Sequence, residues 1–127
     1  MVAASRVVIA DDDNDIRELL EVAAARAGLE LISSHGDGRS ALEAAIASDA
    51  DLVLLDIAMP ELTGIEVTER LRAGRTDGRP RIVLISASVE DAVLESGREA
   101  GADEVLGKPF RVKELSEHLR RIAGARS

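Results

Sequence analysis

The sequence has no cysteine, no tryptophan and no tyrosine, and Phe110 is its single aromatic residue. Without cysteine there is no disulfide, no thiolate nucleophile and no cysteine-ligated zinc or iron–sulfur centre, and the chain carries no redox-compartment signal. One aromatic residue argues against a surface on which bases stack. No apolar run is long enough for a conventional membrane span, and Met1 to Ser5 lacks the basic segment and apolar core of a secretory leader. Positive charge is also short. Sixteen Lys and Arg stand against 24 Asp and Glu, a formal net charge of -8, which disfavours direct contact with nucleic acid or an anionic membrane. The expectation is a cytoplasmic single domain spanning residues 1–127, with a core over about residues 6–123. The ending Ala123-Gly-Ala-Arg-Ser127 reads as a tail or the start of a linker.

Short aliphatic runs alternate with helical periods along the whole chain. Residues 6–10 read as a strand, and Ile16, Leu19, Leu20, Ala23, Ala24 and Ala27 then recur at helical spacing up to Gly28. A second strand is expected over residues 29–34 and a helix over 38–48, with Ala41, Leu42, Ala45 and Ile46 on one face. Residues 51–55 are apolar without alternation after Asp51, as expected for a strand covered by helices on both faces. A helix over 65–73, a strand over 81–85, a helix over 89–100, a strand over 104–106 and a helix over 112–122 complete five βα units. Five such units predict an α/β fold with an open, mostly parallel sheet and helices on both faces.

In a sheet of this kind the ligand crevice lies beyond the carboxyl ends of the strands, where strand order reverses. Asp11 and Asp12 follow the first strand, Asp56 the third, Ser86 the fourth and Lys108 the fifth. Clustered carboxylates repel one another and are tolerated beside a divalent cation, a basic group or a proton. Oxygen ligands favour magnesium or manganese over thiolate-seeking metals. A carboxylate is also a nucleophile toward phosphorus, while a metal, a lysine and a hydroxyl can neutralise and orient the oxygens of a transferring group.

Each of these residues also has an ordinary structural reading. Asp11 and Asp12 could be solvated acids near a helix start, Ser86 a turn hydroxyl and Lys108 a surface cation, but their shared placement favours function. Asp13, Asn14 and Asp15 are expected instead to end the strand and satisfy amides of the first helical turn. Pro60 and Gly64 are shape residues, one restricting a loop and the other permitting a close approach. Phe110 is expected in the core. His35 and His118 lie in no recognisable metal spacing and are read as structural or solvated.

The ordered set Ala10-Asp-Asp-Asp-Asn-Asp-Ile-Arg17, Leu54-Leu-Asp-Ile-Ala-Met-Pro60 with Gly64, Leu84-Ile-Ser-Ala87, and Gly101-Ala-Asp103 leading to Lys108-Pro-Phe110 resembles the receiver domains of bacterial two-component response regulators. The resemblance covers essentially the whole chain. It implies a doubly wound, flavodoxin-like (βα)5 fold with strand order 2-1-3-4-5. It also implies that Asp56 is the phospho-acceptor, Asp12 a direct Mg2+ ligand, Asp11 an acidic neighbour holding the metal through water, and Ala58 a backbone-carbonyl ligand, with Mn2+ as a possible substitute. Ser86 and Lys108 would contact the phosphoryl oxygens, and the Lys108-Pro109 bond would be cis. The implied donor is a sensor histidine kinase or phosphotransfer protein. Output would pass through the fourth helix, fifth strand and fifth helix, as a homodimer or onto another protein. Such a domain catalyses only its own phosphorylation and dephosphorylation.

Two features depart from that pattern. Val105 stands where an aromatic switch residue is usual, so the ring-turning form of the switch is excluded and repacking around Ser86, Val105 and the fourth helix is expected in its place. Ala58 and Ser88 offer no acid or amide to position water, so slow autodephosphorylation is expected. Three other readings compete with this one. One is a receiver-like interaction domain with phosphate-independent output. Another is a small aspartate-nucleophile phosphohydrolase suggested by Asp11 and Asp13, for which little chain remains to build a substrate-selecting cap. The last is a flavin carrier, opposed by acids in place of a hydroxyl-rich phosphate loop.

Overall fold

The computed structural model describes residues 4–124; Met1 to Ala3 and residues 125–127, and with them parts of the leader and tail readings, lie outside the described residues. Five strands alternate with five helices: β1 Arg6–Ala10, α1 Asn14–Arg26, β2 Glu30–His35, α2 Gly38–Ser48, β3 Leu52–Asp56, α3 Gly64–Arg72, β4 Arg81–Ser86, α4 Asp91–Ala100, β5 Glu104–Gly107 and α5 Val112–Gly124. Every strand pair is parallel, and the order is β2-β1-β3-β4-β5, the expected one.

The period of two along each strand divides the core between the sheet faces. Val8, Ala10, Val53, Leu55, Ile82 and Leu84 pack with Ala41, Leu42 and Ala45 of α2 and Val67 and Leu71 of α3. Val7, Ile9, Leu52, Leu54, Val83 and Ile85 pack on the other face with Leu20, Ala23 and Ala24 of α1 and Leu115 and Leu119 of α5. Both halves of each central strand are thus buried, which explains the unbroken apolar runs. Phe110 packs against the second cluster, as expected.

Boundaries moved where side-chain chemistry outweighed periodicity. α4 starts at Asp91, two residues later than expected, with Glu90 as an extended residue before it that makes no side-chain cap. α3 starts at Gly64, one residue earlier, because Thr63 and Glu66 form a reciprocal capping box. β3 begins at Leu52 and runs through Asp56. Asp51 instead sits at the amino end of the strand, where its carboxylate accepts the Arg6 N–H at 2.8 Å and an Arg79 Nη2 hydrogen bond at 2.7 Å.

Candidate functional site

The β1 tip delivers Asp11 with its backbone N–H donated to the carbonyl of His35 at 3.1 Å. Asp11 is fully buried, and its Oδ1 accepts the N–H of Asp13 at 2.9 Å. Asp12 follows, exposed. Asp13 then caps α1, its carboxylate accepting from the amides of Asp15 and Ile16, which is the structural role expected for it. Asp56 ends β3 and is only 4% exposed. The loop after it is pinned by Ile57 N–H to the Ile85 carbonyl at 2.9 Å and Gly64 N–H to the Ile57 carbonyl at 2.8 Å. Gly64 is required here, since a β-carbon on it would stand 2.4 Å from the Asp56 carbonyl oxygen.

Ser86 ends β4 with its hydroxyl accepting the N–H of Ser88 at 3.1 Å. Lys108 follows β5, its own N–H donated to the Ser86 carbonyl at 2.8 Å, and the Lys108-Pro109 bond is cis, as is Arg79-Pro80. Asp12, Asp56, Ile57, Ala58, Ser86, Ala87, Ser88, Val93 and Lys108 line one open cleft of about 420 Å³. Asp11 lies beneath it.

The electrostatics of this cleft are uneven. One carboxylate oxygen from each of Asp11, Asp12 and Asp56 lies within 4.8 Å of the others. Lys108 Nζ stands 3.1 Å from Asp11 Oδ2 and 3.3 Å from Asp56 Oδ1. Burial, followed by the negative charge of Asp11, pushes the Asp56 carboxyl above the usual carboxylate range, and Lys108 offsets this only in part. Burial would lower the Lys108 ammonium, but its close approach to the negative charges of Asp11 and Asp56 outweighs this and leaves its pKa raised. Asp11 Oδ2 has no hydrogen-bond partner despite complete enclosure; the lysine is near enough for an ion pair but poorly directed for a hydrogen bond.

Three converging carboxylates, one with an unsatisfied oxygen, and a single shared ammonium leave a deficit of positive charge. That donor set fits a hard divalent cation with oxygen ligands. Ala58 is exposed at the cleft wall, so its apolar side chain does not prevent its backbone from facing such an ion.

The family model of the response regulator receiver domain matches residues 7–120. This chain belongs to that family. The transcriptional regulatory protein PrrA of Mycobacterium tuberculosis is 37% identical over 121 residues, covering 95% of this chain and 51% of PrrA. The DNA-binding response regulator MtrA of M. tuberculosis is 36% identical over 115 residues, covering 91% of this chain and 49% of MtrA. Among solved structures, the signal receiver domain of the response regulator NarL from M. tuberculosis superposes with a TM-score of 0.87 at 29% identity, over 97% of this chain and 98% of that one.

Receiver membership favours the signalling reading over the phosphohydrolase and flavin readings. The receiver chain spans about half the length of the curated relatives it matches. The expectation of no nucleic-acid partner finds no support, because MtrA is named as DNA-binding and the charge argument speaks only for these 127 residues. Among the described residues no helix is long and apolar enough to cross a membrane.

The structure brings Asp11, Asp12, Asp56, Ala58, Ser86 and Lys108 to one end of the sheet. His35 and His118 are not in the carboxylate cluster: the His35 ring contacts the Ser33 hydroxyl, and His118 lies 3.5 Å from Glu104. Val105 packs against Gly97, whose missing β-carbon would fall 2.6 Å from its Cγ2. Two features were not anticipated from sequence. Lys108 reaches Asp11 as well as Asp56, and Val93 of α4 enters the cleft wall. Neither follows from strand-tip logic alone, since each depends on how a later element folds over the site.

Proposed function

We propose that Asp56 accepts a phosphoryl group from a histidine kinase or phosphotransfer protein in a Mg2+-dependent reaction, with Mn2+ as a substitute, and that the change alters protein contacts. The observation carrying this reading is the buried Asp56 carboxylate, held in one cleft with Asp12, Ala58, Ser86 and Lys108. Asp11, Asp12, Asp56 and the Ala58 carbonyl are the groups that would hold the cation, with Asp11 acting through water. Bound there, the cation supplies positive charge that offsets carboxylate repulsion and draws the phosphoryl oxygens.

An Asp56 oxygen forms the new bond to phosphorus as the donor's phosphorus–nitrogen bond breaks, the electron pair remaining on the imidazole nitrogen. Lys108 balances the charge of the Asp56 carboxylate before transfer and faces the phosphoryl oxygens after it. The Ser86 hydroxyl uses its oxygen to accept from Ser88 N–H, which leaves its proton for a phosphoryl oxygen. The domain modifies and then demodifies itself, so its covalent state is the signal.

Added charge at the β3 tip biases the β4–α4 segment, where Ser86 and Val93 line the cleft. Output then runs through α4, β5 and α5 to a second copy or another protein, with repacking at the Val105–Gly97 contact in place of a turning ring. The chain acts as one receiver unit, in the cytoplasm. Beryllofluoride mimics a phosphoryl group on a carboxylate. Added to protein already loaded with Mg2+, it should raise the Tm of the wild type by several further degrees and leave that of Asp56→Asn unmoved; equal further shifts in both would reject Asp56 as the acceptor.

A further inference from the structure

Arg17 closes the motif that begins at Ala10, yet no step above uses it. Its Nη1 donates to the backbone carbonyl of Asp11 at 2.9 Å, and its Nη2 donates to the Asn14 side-chain oxygen. Among the described residues it makes no ion pair with a carboxylate. The guanidinium therefore serves one peptide carbonyl and one side-chain amide and not the acids beside it. Gly36 makes room for it, since a β-carbon there would lie 3.3 Å from Nη1.

The carbonyl that Arg17 holds belongs to the peptide linking Asp11 to Asp12. Its orientation sets ψ of Asp11 and φ of Asp12, and hence the directions in which both side chains leave the backbone. Three further bonds fix the same segment: Asp11 N–H to the His35 carbonyl, Arg17 N–H to the Asp13 carbonyl at 2.9 Å, and Asp13 N–H to Asp11 Oδ1, also at 2.9 Å. The side-chain fork is the link that ties the Asp11–Asp12 peptide itself to α1. A planar, two-pronged donor is suited to this, because its two bonds define an orientation and a point charge does not.

We propose that Arg17 is a positioning residue for the divalent-cation site, aligning Asp11 and Asp12 through the peptide between them. The proposal rests on the metal-site reading given above. Positioning and simple electrostatics make opposite predictions. A cation near the acids repels a second cation, so removing the Arg17 charge strengthens metal binding if charge alone matters. If Arg17 aligns the ligands, its removal weakens binding.

The test is titration of metal-free protein with Mn2+, free Mn2+ being read by electron paramagnetic resonance, with folding of each variant checked by circular dichroism. Arg17→Met should bind Mn2+ about 10-fold more weakly than wild type, in line with groups that orient metal ligands from outside the coordination sphere. Arg17→Lys keeps the charge but loses the fork and should bind about threefold more weakly. If Arg17→Met does not fold, Arg17→Lys decides alone. Binding equal to or tighter than wild type in the folded variant overturns the role of Arg17 and leaves the site reading intact. Failure of the wild type itself to bind Mn2+ overturns both.

Discussion

Nζ of Lys108 lies 3.1 Å from Oδ2 of Asp11, an oxygen that is wholly enclosed and receives no hydrogen bond. The same ammonium stands 3.3 Å from Asp56. One cation thus serves two buried carboxylates, and the site is short of positive charge until another arrives. Removing the lysine should be costly for that reason. Lys108→Met is expected to lose about 2 kcal/mol of stability without metal, because it leaves buried charges unpaired. The loss should shrink when Asp56→Asn is added. Urea unfolding of the two single variants and the double variant measures this coupling, and a double variant whose stability is the simple sum of the two single effects would contradict it.

The raised Asp56 pKa has a definite sign. A carboxyl that holds its proton to higher pH in the folded state than in the unfolded chain contributes stability below its unfolded pKa. That contribution is lost as pH rises through the folded value. At neutral pH the ionised Asp56 is therefore a burden on the metal-free fold. Asp56→Asn should be more stable than wild type at pH 7 by about 1 kcal/mol, and the gap should close on acidification toward pH 4. An unchanged difference across that range would assign the effect to packing and not to charge.

Mg2+ should act on the same imbalance. At a concentration of about 100 times its dissociation constant it should stabilise the wild type by about 2.7 kcal/mol, visible as a rise in Tm. Asp56→Asn should show a smaller rise, since it removes one of the three clustered carboxylates. Equal rises would place the cation elsewhere.

Gly64 holds the loop after the acceptor close to the β3 backbone. Gly64→Ala would set a β-carbon 2.4 Å from the Asp56 carbonyl oxygen, so the backbone must shift. The expected cost is about 2 kcal/mol, in the range of overpacked sites, with slower phosphorylation of Asp56 even where the variant is folded. Denaturant midpoints and phosphorylation rates measured on the same sample would separate the two effects. A variant of wild-type rate would show that the acceptor tolerates movement of its loop.

Ser86→Ala removes a hydroxyl that accepts one backbone N–H. Stability should fall by about 1 kcal/mol, while phosphorylation with acetyl phosphate should slow about 10-fold if the hydroxyl donates to a phosphoryl oxygen. A rate equal to wild type would restrict Ser86 to its turn.

The parts of this molecule legible from sequence are those governed by local periodicity. β3 and β4 are buried on both faces, and their continuous apolar runs announced it; the acids and the lysine follow such runs directly, so their convergence at one sheet end could be inferred. The start of α4 was less legible because Glu90 gives no side-chain cap and Gly97 is the only residue of that helix buried among those described. Without a capping side chain, composition does not mark where the helix begins. The Lys108–Asp11 contact and the grip of Arg17 on the Asp11 carbonyl were hidden for another reason. Both join long side chains to groups whose position depends on the completed fold, and a spacing pattern carries no such information. Val105 is intermediate: the absence of a ring was visible, but its close seat against Gly97 required the packing of α4 on β5.

The most direct test of the account is intact mass after incubation with acetyl phosphate and Mg2+, for wild type, Asp56→Asn and a chelator-treated sample. A gain of about 80 Da, the mass of one phosphoryl group, is expected in metal-containing wild type alone. The same gain in Asp56→Asn, or no gain in wild type under conditions that modify another receiver domain, would contradict it.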